Sequence, residues 1–197
     1  MAVAKKYCKN NWTEFASWTY FQKRAPWLVV LFIGGFFTTS AMKAFGPVLQ
    51  SVTALAFYLP LLISAGGNSG SQSATLIIRG LAVGEIQAAD WWRVLARELF
   101  QGLTLGFMLA TIGFLRAYGG GDGLSLAILV AITIISIVTM GCVVGALMPL
   151  FLYRCGLDPA TSSTPFIASL VDALGIVVYL GLARLLLLQL DEIAPLF

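Results

Sequence analysis

Long uncharged runs alternate with short polar connectors along this chain. No Asp, Glu, Lys or Arg occurs over 44–78, 123–153 or 159–171. Each of the first two runs can hold the roughly 20 apolar residues that carry a helix across the hydrocarbon core. The pattern predicts five transmembrane helices, at 26–44, 47–67, 97–118, 124–153 and 163–190. The fourth window is too long for one straight crossing, so it is expected to tilt, to kink near Pro149 or to extend beyond the bilayer. Residues 1–25 form a basic and aromatic leader. Its Trp12, Phe15, Trp18, Tyr20 and Phe21 suit a helix lying at the headgroup level, the alternative being a frayed tail. The longest polar connector, 79–98, predicts an amphipathic elbow around Gly84-Glu85 and Asp90-Trp91-Trp92-Arg93.

Composition strengthens the membrane assignment. Of the 197 residues 59% are hydrophobic and 11% charged, and the mean hydropathy is +0.90. A soluble domain carries about 25% charged residues, so this chain could not cover itself with a polar surface. The fold class is all-α integral membrane, with no soluble domain between the spans. Lysine and arginine give the orientation: with the N-terminus inside, the inner side holds Lys5, Lys6, Lys9, Lys23, Arg24, Arg79, Arg93, Arg97 and Arg154, against Lys43, Arg116 and Arg184 outside. The expected location is a cell inner or plasma membrane, multi-pass, with the N-terminus cytoplasmic and the C-terminus outside. A cleaved signal peptide is not expected, because the first 24 residues hold six charges and no apolar stretch. Cys8, Cys142 and Cys155 form no CxxC pair, and histidine is absent. Any cation site must therefore be built from oxygen, which points to hard ions such as magnesium or calcium.

Asp172 is the residue that most needs explaining. It lies in the fifth window with only uncharged residues from Pro159 to Val171 before it and from Ala173 to Ala183 after it. A carboxylate at such depth costs at least ~2.5–3.5 kcal/mol and needs water, a cation or a partner to offset it. Arg184 stands twelve residues on, about 18 Å along a helix, too far to pair with it. Thr161, Pro165, Ala168, Asp172, Gly175 and Tyr179 share one small or polar helical face, while Phe166, Ile167, Leu170, Leu174, Val177 and Val178 suit lipid. In the second window Pro60, Ser64, Asn68 and Gln72 recur at fours with Thr75 next, inside a glycine-rich stretch from Ser64 to Ser73. Glycines this dense predict a loosened helix whose carbonyls turn toward a pathway; a plain small-residue packing surface is the alternative. Asp158 before Pro159 reads as a helix start, with ion contact as an added role.

Other strings carry less. Gly102-xxx-Gly106 and Gly141-xxx-Gly145 read as helix-packing motifs. Gly119-Gly120-Gly121-Asp122 matches the GxGD string of intramembrane aspartyl proteases, but no second aspartate stands at equal depth, so the chain is not read as an enzyme and no catalytic residue is assigned.

Taken together, these residues resemble the membrane domain of the MgtE family of magnesium channels, from about Pro26 to Leu188. The resemblance rests on Pro60 with the run Gly66 to Ser73, on Arg79-Gly80-Leu81-Ala82-Val83-Gly84-Glu85, on Gly145 with Pro149, on Gly156-Leu157-Asp158-Pro159-Ala160, and on Pro165, Asp172, Gly175 and Tyr179. It implies a two-fold homodimer of five-helix subunits with a pore between them, lined by the second and fifth spans. It also implies that Asp172 holds a hydrated magnesium, the transported ion, with Ser64, Asn68, Gln72, Asp158, Thr164 and Ala168 as pore-lining candidates. The partners so implied are a second copy of the chain, the bilayer and divalent cations, with no nucleic acid and no catalytic cofactor. Family members carry a cytoplasmic sensor ahead of the membrane part. Residues 1–25 leave little room for one before the MgtE-like domain at 26–197, so a natural short form without that gate is expected beside the alternative of an excised domain. Competing readings are a proton- or ion-coupled secondary transporter, with Asp172 carrying the proton, and a non-conducting membrane scaffold.

Overall fold

The computed structural model describes residues 18–156 and 159–193, and these are helical nearly throughout. The elements are α1 (Trp18–Ala44), α2 (Gly46–Ser51), α3 (Ala54–Val83), a 3-10 turn (Ala88–Asp90), α4 (Trp91–Gly119), α5 (Leu124–Arg154) and α6 (Pro159–Ile193). Among the described residues three helical stretches are long and apolar enough to cross a membrane: Ala88–Gly119, Leu124–Arg154 and Phe166–Leu186. The apolar part of α1, Leu28–Ala44, is shorter. At 30 residues α3 has the length of a span, but the run from Ser64 to Thr75 dilutes its apolar character.

The second expected span needs correction at both ends. Residues 46–51 form the separate short helix α2, and the chain breaks at Val52 and Thr53 before α3 begins. Helix α3 then runs to Val83, well past residue 67, because nothing between Gly67 and Val83 blocks helical hydrogen bonding. It stops where Gly84 takes a left-handed conformation, φ 77°, and the amides of Glu85 and Ile86 both bond the Gly80 carbonyl at 2.9 and 3.2 Å. The expected elbow therefore shrinks to residues 84–90, with 79–83 and 91–98 absorbed into the flanking helices. The Arg154 guanidinium donates to the Ala88 carbonyl at 2.6 Å and ties this loop to the end of α5. At the other extremity of the sequence, Trp18 to Ala25 belong to α1 and continue it, rather than forming a separate helix; the rest of the leader lies outside the described residues.

Glycines decide how the helices pack. A methyl placed on Gly141 of α5 would lie 2.5 Å from the Gly66 carbonyl of α3, and one on Gly145 would collide with the Gly70 backbone. Residues 66 and 70 thus face 141 and 145 in rising order, so α3 and α5 run parallel with their backbones touching. Between α4 and α5 the order reverses: Gly102 meets Thr139 and Gly106 meets Ile135, giving an antiparallel pair at the same close range. Helix α6 runs antiparallel to α3, with Ile167 at Gly70, Val171 at Gly66, and the Tyr179 hydroxyl donating to the Leu55 carbonyl at 3.1 Å. Helix α5 is at the centre of this arrangement, and Ile137 and Val138 are wholly buried. Its long window does hold one continuous helix through a buried Pro149. By contrast α1 leans on α6 and leaves Phe32, Ile33, Phe36 and Phe37 exposed.

Candidate cation site

Within α6 the structure separates the expected polar stripe into two parts. Tyr179 and Gly175 are buried, the first bonded to Leu55 and the second packed on Ile137, so this end of the stripe holds helices together. Ala168 and Asp172 are only half-buried. Ile167, expected at lipid, is instead in the core with Ala74 and Val171, whereas Phe166, Leu174 and Val177 are exposed as expected. The reason is that two helices pack on α6 at once, α3 and α5, and their combined footprint is wider than a single stripe.

The carboxylate of Asp172 points to α3. A methyl on Gly67 would sit 3.4 Å from its Oδ1, so the absence of a side chain there leaves room for the acid. Among the described residues the ion pair formed is Arg93 with Asp90, at 3.7 Å, and no cation or hydrogen-bond donor satisfies Asp172. A carboxylate at this depth without a partner still requires water or a cation.

Next to Gly67 begins the polar face of α3. Asn68 donates to the Ser64 hydroxyl at 3.2 Å, and Ser64, Asn68 and Gln72 are all exposed. An open cleft of about 490 Å³ is lined by Asn68, Ser71, Gln72, Thr75 and Leu76. Asp172 does not line that cleft; it lies beside Gly67, one position before Asn68. The backbone under this face is regular helix, not the loosened segment that the glycines suggested. Gly66 and Gly70 serve contact with α5, and the polar side chains occupy the opposite side. Thus the packing reading of the stretch holds for the face with Gly66 and Gly70, the opposite face is open and polar, and no carbonyl is turned out of the helix. The structure thereby sets Ser64, Asn68 and Gln72 along one exposed face of α3, and Asp172 beside Gly67 of the same helix. Ala168 lies one turn before Asp172 on the same helix. Asp158 and the side chain of Thr164 lie outside the described residues.

The donors are carboxylate, amide and hydroxyl oxygens, the set suited to a hard dication. Among the described residues no three Asp, Glu, His or Cys side chains come together. A cation beside Asp172 would therefore meet fewer than three such side chains from the described residues of one chain.

Sequence reasoning missed a second acid. Glu98, placed on the inner surface elbow, is 2% exposed and lies within the bundle, its Oε2 accepting from the Ser73 hydroxyl at 2.7 Å. Asp172 is consequently not the sole acid among the helices. The signal was there in the spacing: Val94, Glu98, Gly102 and Gly106 recur at fours along the buried side of α4. Asp122 accepts a hydrogen bond from the Tyr58 hydroxyl and ties the α4–α5 turn to the start of α3.

Residues 59–182 match the model of the family described as MgtE, divalent cation transporter. The chain is 45% identical over 164 residues to a magnesium transporter MgtE of Thermus thermophilus, an alignment covering 83% of this chain and 36% of that protein. It is 32% identical over 162 residues to a magnesium transporter MgtE of Bacillus subtilis, with 82% and 36% covered. The chain thus spans about a third of the length of these curated relatives. With the family model covering well over half of its residues, and the glycine, asparagine and aspartate positions above falling inside the match, the chain belongs to the MgtE family of divalent cation transporters.

Proposed function

We propose that this chain conducts hydrated magnesium through a membrane pathway lined by α3 and α6, formed between two copies related by a two-fold axis. The relatives' described substrate supports the ion. The observation that carries the pathway is the half-buried, unpartnered Asp172 beside the exposed amide face of α3. A face of Ser64, Asn68 and Gln72 open on one side of a bundle this apolar fits water or a second copy better than acyl chains. A second copy would bring a second Asp172, and two carboxylates favour a dication over sodium or potassium. Closed two-fold dimers are also the commonest symmetric assembly.

Magnesium sheds its waters reluctantly, so the two carboxylates would hold its hydration shell while the amides and hydroxyls above and below accept and donate to the same waters. Weak outer-shell holding is also what release requires, since conduction fails when an ion binds too tightly. In the membrane α1, α3, α4, α5 and α6 would serve as five spans, with the 84–90 loop on the cytoplasmic side, where Arg79, Arg93, Arg97 and Arg154 gather by sequence.

The test is magnesium uptake by liposomes containing the purified protein. Asp172→Asn keeps the size of the side chain and removes its charge, and uptake should fall at least about tenfold, the scale of losing one charge-assisted contact of ~1.5–3 kcal/mol with the hydrated ion. Uptake at the wild-type rate by a well-folded Asp172→Asn protein would exclude this pathway. A proton uncoupler at clamped voltage should leave the flux unchanged; a collapse would assign coupled transport instead.

A further inference from the structure

The buried acid of α4 has no part in the pathway just described, yet it is bonded to the helix that lines it. We propose that Glu98 is a positioning residue for cation passage: through Ser73 it fixes the rotation of α3 about its own axis, so that Asn68 and Gln72 stay on its open face. The inference rests on the pathway reading and adds to it the device that keeps one face of α3 in place.

Three observations carry it. The first is the way α3 meets α5. Gly66 and Gly70 touch Gly141 and Gly145 backbone to backbone, and the side chains that lie over them, Ile137 and Val171 at Gly66 and Ile167 at Gly70, are all aliphatic. Apolar contact of this kind is close but carries no directional bond, whereas a hydrogen bond has a preferred geometry. The second is the place of Ser73. It follows Gln72 directly, it is buried, and its side chain points away from the exposed face. A hydrogen bond here acts on the helix where the amide stretch ends, and each residue is about 100° of turn, so holding Ser73 holds Gln72. The third is directionality. The Ser73–Glu98 bond, 2.7 Å long with both residues under a tenth exposed, is the side-chain hydrogen bond that joins α3 to α4 among the described residues. At the opposite end of α3 the Tyr58–Asp122 bond has an equivalent place, and the two lie fifteen residues apart on roughly one side of the helix. The amide face runs between these two anchors, and Ser73 is the nearer one to Gln72.

The experiment reads rotation directly. In a background in which Cys8 and Cys155 are replaced by serine and the buried Cys142 by alanine, which adds no new hydroxyl beside Ser73, single cysteines are placed at Gln72 and at Ser71, and their rates with a water-soluble methanethiosulfonate are compared in liposomes. With Glu98 present, Gln72→Cys should react faster than Ser71→Cys, and magnesium should protect it. Glu98→Gln keeps a carbonyl acceptor for Ser73 and should leave the ratio of the two rates unchanged. Glu98→Ala and Ser73→Ala should each lower that ratio, and magnesium uptake with it, by about tenfold, the scale of losing one buried hydrogen bond to an acid. A merely structural role would lower the thermal midpoint of Glu98→Ala and leave the ratio alone. A wild-type ratio in folded Ser73→Ala, which opens less space than the glutamate truncation, would overturn the proposal even where Glu98→Ala does not fold. Absence of magnesium protection at Gln72→Cys with Glu98 intact would instead overturn the pathway on which the proposal rests.

Discussion

Opposite sides of α3 obey different rules over the same dozen residues. On one side Gly66 and Gly70 lie against the backbone of α5, and Ser69 and Ser73 are buried with their hydroxyls bonded, the first to the Ala65 carbonyl and the second to Glu98. On the other side Ser64, Asn68 and Gln72 stay exposed along an open cleft. Both sides are made of small or polar residues, and composition does not tell them apart. What differs is whether a neighbouring backbone comes near enough to exclude a side chain. Small residues on the packed side allow that approach. Polar residues on the open side keep groups that can still bond water.

If the difference is real, substitutions should sort by side, with stability responding on one and transport on the other. The largest effect belongs to Gly145→Ala. Its new methyl would collide with the Gly70 backbone, which has no rotamer through which to yield, and separating α3 from α5 also disturbs Gly66 and Gly141. Overpacking of this kind costs typically ~1–3 kcal/mol and occasionally more. The thermal midpoint in detergent should fall by several degrees, with loss of expression at the upper end. Gly181→Ala is the control, since nothing lies within 4 Å of the position a Cβ would take there. Equal midpoints for the two variants would break the comparison.

The next effect belongs to the open side. Gln72→Ala and Asn68→Ala remove amides that bond no buried group, Asn68 losing only its exposed contact with Ser64. Stability should stay within about 0.5 kcal/mol of the parent, as for other surface changes. Magnesium uptake should fall about fivefold for each, near the ~1 kcal/mol of one hydrogen bond, here made to the hydration shell of the ion. A drop in midpoint without a drop in uptake would show that these residues pack against something.

How much of this was legible beforehand depends on what kind of signal each feature leaves. The uncharged windows around α5 and α6 follow from the bilayer's demand for apolar length, and they appear directly in the order of residues. The packing role of Gly102, Gly106, Gly141 and Gly145 was also readable, because spacing by four marks one helical face. The sequence could not say which of two small-residue faces on α3 would meet α5, since Gly66 and Asn68 are both plausible at either. It overstated the effect of glycine on the backbone: in α3 the i to i+4 bonds survive because tertiary contact on one side compensates for low propensity. It placed Glu98 at a surface because acids and arginines crowd residues 85–98, although the four-residue spacing through Gly102 pointed inward. Ile167 was misassigned for a related reason: a helix seen alone shows one stripe, and contact with two neighbours buries more of it.

A smaller effect tests the outer anchor of α3. Tyr58→Phe keeps the ring in the core and removes the hydroxyl that donates to Asp122. Asp122 is exposed and can turn to water, so the loss should be only about 0.5–1.5 kcal/mol. Unfolding in a denaturant series should show it, while uptake at a given magnesium concentration should change less than for Gln72→Ala. A larger fall in uptake than in stability would place Tyr58 among the groups that govern passage, and would blur the line between the two sides.

The smallest effect is expected at Thr133, and with the opposite sign. Several hydroxyls on these helices bond back to the carbonyl four residues before: Thr39 to Gly35, Thr75 to Ser71, Thr104 to Phe100, Thr111 to Phe107 and Ser136 to Ile132. Thr133 of α5 is fully buried and its hydroxyl has no partner. A buried hydroxyl without a hydrogen bond costs about 1–3 kcal/mol, and valine has the same shape with a methyl in its place. Valine also keeps the branched Cβ, so the helix pays no new rotamer restriction. Thr133→Val should therefore raise the thermal midpoint slightly and leave magnesium uptake unchanged, because the packed interior needs shape at this position and has no use for the polarity. A fall in stability would mean that the hydroxyl holds a buried water, and a fall in uptake would carry the functional surface into the heart of α5.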